Sequence, residues 1–117
     1  MNKEDLNSRI KQFVVRVINM IEQLPDTKTS RTISAQAIRS ATSIGANYRA
    51  ACRSKSKRDF INKLKIVEEE TDETIYWLEL IGDSKQLQPE RIKNLKTECE
   101  ELLSIFVASI KTAKQNL

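Results

Sequence analysis

SKRDFINKLKIVEEETDETIYWLELIG, residues 56–82, is the stretch that decides the fold. Phe60, Leu64, Val67, Thr71, Thr74, Leu78 and Ile81 recur three and four apart. That spacing places side chains along one face of an α-helix. Ser56, with Asp59 three residues on, resembles a capping box that has Asp in place of Glu, so the helix is expected to start there. Gly82 is the expected left-handed residue just past its end.

The same reading extends to both sides. A preceding helix runs from about Thr32 to Arg53, with Ala37, Ala41, Ile44, Tyr48, Ala51 and Cys52 on its stripe. It is rich in small residues, and Gly45 in its interior costs about 1 kcal/mol relative to alanine. Close approach of a neighbouring backbone is the expected reason. The first helix spans about Asp5 to Leu24, carries Leu6, Ile10, Phe13 and Val17, and is stopped by Pro25 and Asp26. The last begins at Pro89, a favoured first helical position, and carries Ile92, Leu95, Cys99, Leu102, Phe106, Ile110 and Ala113. Four long helices with short connections predict an all-α fold, an antiparallel up-down-up-down four-helix bundle, with residues 1–117 as one domain.

Composition agrees. Gly and Pro occur twice each, too few for the frequent turns of a β-sandwich or barrel. No apolar run approaches the ~20 residues of a membrane span, and no charged segment followed by an apolar run opens the chain. A cytoplasmic location and no membrane partner are expected. The two cysteines, Cys52 and Cys99, lie on apolar stripes and are expected as free thiols, consistent with a reducing compartment. With no histidine, they cannot form a four-ligand zinc site within one chain. No histidine is present to activate a serine, and there is no phosphate-binding glycine loop. The chain is therefore expected not to be an enzyme, and to use no catalytic residue, metal, cofactor or small-molecule substrate.

Charge is what remains to read. The net charge is +4 and the pI about 9.2. Arg49 to Lys65 holds seven basic residues against one acid, whereas Glu68 to Glu79 holds six acids and no base. In the predicted topology the loop between the second and third helices shares an end with both termini, and so with Lys3, Lys111 and Lys114. Arg49 and Arg53 suit a helix C-terminus, where the dipole favours cations. Lys57 and Arg58 instead occupy a first turn, where it does not, and free N–H groups beside cations make an anion site. Arg53, Lys55, Lys57 and Arg58 are candidate phosphate contacts, with Arg39 and Arg49 extending the track along the second helix. The other reading is a solvated charged loop. Glu69 and Glu70 are expected to pair with Arg or Lys of a neighbouring helix or subunit. Asn47, at a core edge, is expected to hydrogen-bond across helices or subunits.

Ile66, Trp77 and Leu80 fall about 100–160° round the third helix from its stripe, with Tyr76 beside them. A patch holding the only Trp suggests a self-association surface; the alternative is a core face wide enough to wrap around the helix.

Ile38-Arg39-Ser40-Ala41-Thr42-Ser43-Ile44-Gly45-Ala46-Asn47, followed by Arg53-Ser54-Lys55-Ser56 and Asp59-Phe60, resembles the second and third helices of the "four-helix bundle" proteins. These are also called the 23S rRNA intervening-sequence proteins, small bacterial proteins some of which are encoded inside ribosomal RNA genes. Phe60 to Glu73, followed by Tyr76-Trp77-Leu78-Glu79-Leu80, resembles one branch, and the likeness covers about Leu6 to Ala113. Where many members continue past Asn47 with Ile, a small residue, Glu and Gly, this chain has Tyr48-Arg49-Ala50-Ala51. The resemblance implies the bundle and a ring-shaped homopentamer. A related retroelement accessory protein binds nucleic acid and a reverse transcriptase. The leading expectation is a non-enzymatic, oligomeric binder of RNA or DNA, structured RNA or duplex, through backbone phosphates, with little base readout because no aromatics interleave with the cations. The alternative is a ring-forming scaffold for a protein partner.

Overall fold

A computed structural model describes all 117 residues as four antiparallel helices: α1 (Lys3–Ile21), α2 (Lys28–Cys52), α3 (Lys57–Asp83) and α4 (Pro89–Gln115). Each stripe found by spacing supplies one wall of a single core. Phe13, Ile44, Leu64, Val67, Leu78, Ile81, Leu102 and Phe106 are sealed from solvent. Between α2 and α3 the core carries a small polar layer, where Thr74 Oγ1 donates to Ser40 Oγ at 2.8 Å. α3 packs broadly on both α2 and α4, whereas α1 leans on α2 and only lightly touches α4. The result is a rod of 47 × 21 × 20 Å. No helix is long and apolar enough to cross a membrane.

Several boundaries differ from the sequence reading, each for a local reason. α2 starts at Lys28, not Thr32, because the Thr27 side chain accepts from the Ser30 N–H at 3.1 Å and caps the helix a turn earlier. α1 starts two residues early on an Asn2 cap that accepts from the Asp5 N–H at 2.8 Å, and ends at Ile21, short of Leu24. Ser56 does cap α3, accepting from the Asp59 N–H at 3.0 Å. The return half of the box is replaced: the Asp59 carboxylate takes the Lys63 ammonium at 2.7 Å.

Gly82 does not end α3; it is helical. Lys85 is the left-handed residue, at φ 60°. The Gln86 N–H donates to Ile81 O and the Lys85 N–H to Gly82 O, both at 3.1 Å, which is the paired Schellman closure. Ile61 takes the core position expected of Phe60, which is half-buried, and Cys52 and Ala113 sit at the core margin. Gly45 answers to no close backbone within the chain. A Cβ there would meet only the Ile10 and Val14 side chains, at 3.6 and 4.0 Å, which is ordinary contact.

The thiols are apart and separately engaged. Cys52 Sγ, at the end of α2, accepts from Asn7 Nδ2 at 3.6 Å. Cys99 Sγ, midway along α4, donates to Thr71 O at 3.5 Å, and burial pushes its pKa up.

Candidate nucleic-acid interface

Antiparallel order brings the C-terminus of α2, the N-terminus of α3 and both chain ends to one pole of the rod. Two contacts fix this: Lys57 Nζ donates to Asn116 O at 2.7 Å, and Lys3 Nζ stands 4.9 Å from the centroid of the Phe60 ring. The expected sharing of one end by the loop and the termini is what the chain adopts.

Of the six basic candidates, Arg53, Lys55, Lys57 and Arg58 gather at this pole, all exposed. No carboxylate lies within ion-pair reach of any of them, nor of Arg49 one turn down α2. The hydrogen bond of Lys57 is to a neutral carbonyl, so its charge stays uncompensated. Lys57 and Arg58 occupy the first turn of α3 against the dipole. Asp59, in the same turn, is occupied by Lys63, whose ammonium holds its carboxyl below the usual range. Glu4 and Asp5, in the first turn of α1, share the pole without an ion pair to these cations.

Arg39 behaves differently. Its guanidinium bonds Glu70 at 2.9 Å and also Glu73, tying α2 to α3. Trp77 Nε1 donates to the same Glu73 carboxylate at 3.0 Å. The hydrogen bond from Trp77, then the one from Arg39, holds the Glu73 carboxyl below its ordinary value. Arg39 is thus spent on the acidic run and stands apart from the basic pole. Glu70 finds its partner on a neighbouring helix, as its position suggested. Asn47, expected to bond across helices or subunits, instead bonds within its own helix, donating to Ser43 O at 2.9 Å one turn back.

Lys11 was missed by sequence reading. With Arg49 it flanks a groove of about 380 Å³ between α1 and α2, floored by Thr42, Gly45 and Ala46. Neither hydropathy nor charge runs signal it, because the two cations come from different helices. Lys111 and Lys114 join Lys65 along a groove between α3 and α4, facing Glu68 and Glu69.

The apolar patch divides. Trp77 and Leu80 are half-buried and pack on the core margin, as a wide core face would have them. Ile66 and Tyr76 remain 43% and 54% exposed. The Tyr76 ring meets Trp77 edge-on at 5.0 Å.

Residues 4–108 match the model of the family described as 23S rRNA-intervening sequence protein. A solved structure from Bacteroides thetaiotaomicron, of a protein with unknown function from the S23 ribosomal protein family, is 35% identical. Its match covers 91% of this chain and 98% of that one, with a TM-score of 0.84. No curated protein matches the chain.

Proposed function

Because the chain belongs to the family of 23S rRNA-intervening sequence proteins, we propose that it is a non-enzymatic, RNA-associated protein that grips phosphate backbone with its basic pole. What supports this most is the set of exposed cations Arg49, Arg53, Lys55, Lys57 and Arg58, gathered without carboxylate partners. Placing like charges together, two of them against a helix dipole, costs stability unless an anion joins them. Each contact is screened over about 8–10 Å at ordinary salt and is weak alone. We propose that the chain self-associates into a homo-oligomeric ring, a pentamer by its resemblance, so that repeated poles engage one polyanion at high effective concentration.

Electrophoretic mobility shifts across a salt titration test this. Affinity for mixed RNA should fall steeply with salt, with a log–log slope of about −0.7 to −0.9 per phosphate neutralised. Replacing Lys55, Lys57 and Arg58 together by Ala should weaken binding and flatten the slope with helical content unchanged. Binding by the triple variant as tight as wild type would place the interface elsewhere. No binding even at low salt would leave the protein-scaffold reading in its place.

A further inference from the structure

A broad hollow opens at the basic pole. It is a groove of about 660 Å³, walled by Leu6, Tyr48, Phe60, Ile105, Ala108 and Ala113. Its size falls within the range of about 300–1,000 Å³ usual for small-molecule sites. Lys3 and Lys57 stand at its mouth, and Asn2, Ser109 and Thr112 bring polar groups to its sides. Phe60 is half-buried, and the face of its ring is covered by the Lys3 ammonium at 4.9 Å. An apolar slot with an aromatic wall, amides and hydroxyls at its sides, and two cations at its lip suits a flat, partly polar ring carrying a negative charge on a short tether. A nucleotide has that chemistry: its base has a π-face, its edge hydrogen-bonds, and its phosphate would lie at the cations.

We infer that this groove seats an unpaired nucleobase of the RNA strand whose phosphates cross Lys55, Lys57 and Arg58. The inference rests on the phosphate-binding reading of the pole and adds to it the class of RNA preferred: strands with an unpaired end or bulge. The base stacks on Phe60, and the ammonium it displaces moves to the adjoining phosphate. Lys3 therefore guards the ring when no RNA is bound and joins the phosphate contacts when it is. Phe60 already neighbours Lys57 and Arg58 along α3, and folding adds Lys3 from α1 over its ring.

The test compares a blunt RNA duplex with the same duplex carrying a short single-stranded overhang, by fluorescence anisotropy at fixed salt. Base stacking predicts that the overhang tightens binding about tenfold. Phe60→Leu keeps apolar volume but removes the π-face; it should abolish that advantage and leave blunt-duplex binding and its salt slope unchanged. Phe60→Trp should retain it. Circular dichroism of both variants checks that the bundle is intact. Equal affinity for the two duplexes, or an overhang advantage that survives Phe60→Leu, overturns the inference. If the Lys55, Lys57, Arg58 triple variant still loses blunt-duplex affinity in that case, the phosphate-binding reading stands without it. If neither duplex binds at low salt, both readings fall.

Discussion

Lys85 shows how a single residue departs from its own preferences to close an element. Its left-handed backbone is disfavoured for any side chain with a Cβ, yet the Schellman bonds of Gln86 and Lys85 require it there. Exposed and outside any ion pair, the Lys85 side chain offers little in return. Lys85→Gly should therefore raise stability by about 0.5–1 kcal/mol, visible as a higher denaturant midpoint with unchanged slope. A lower midpoint would mean that Lys85 makes a compensating contact. The sequence pointed to Gly82 because glycine is the usual residue at that position. The true terminus is set three residues later, where the turn toward Pro89 needs a reversal that Gly82 comes too early to provide.

At the level of elements, the four helices were legible because burial has a period, and their ends were not because capping is a side-chain event. Thr27 and Asn2 are competent caps, yet nothing in their spacing distinguishes them from other polar loop residues. Pairing between helices was equally hidden, and it matters most for α1, which is bound least to the rest. The Arg9 guanidinium grips Glu98 through two hydrogen bonds, Nε to Oε2 at 2.8 Å and Nη2 to Oε1 at 2.7 Å, and so ties α1 to α4. That hydrogen bonding holds the Glu98 carboxyl below the ordinary 4.5, against the upward pull of burial. A carboxyl with a lower pKa folded than unfolded adds stability above the unfolded value, and loses it as pH falls through the folded one. Glu98→Gln should thus melt about 2–5 °C below wild type at pH 7, for a pair worth ~1 kcal/mol, with the gap closing as pH falls below the ordinary carboxyl range. A gap that persists undiminished in acid would assign the loss to packing.

For the whole molecule, the exposed side of α3 and the basic pole are separate surfaces. Tyr76 lies nineteen residues beyond Lys57 on one helix, which at 1.5 Å per residue is about 28 Å. If copies assemble through the Ile66–Tyr76 face, Tyr76→Glu should shift light scattering from oligomer to monomer while a circular dichroism spectrum stays helical. Tyr76 is the better probe than Trp77, whose indole supports the core margin and Glu73. A wild-type monomer at micromolar concentration would remove the assembly altogether. The sequence disclosed the charges of the pole but not their company: Arg39 belongs to the acidic run, Lys11 meets Arg49 only across helices, and Phe60 gains Lys3 from α1. The meeting of the termini has one more consequence. Met1, Asn2 and Asn116 border one groove, so the chain nearly closes into a circle at that pole. A short linker could splice Leu117 to Met1, with new ends cut in the exposed turn between α3 and α4 at the far end of the rod. Such a circular permutant would keep every helix and replace two loose ends at the groove with one closed linker. An affinity tag joined at Met1 or Leu117 would instead hang over the cations.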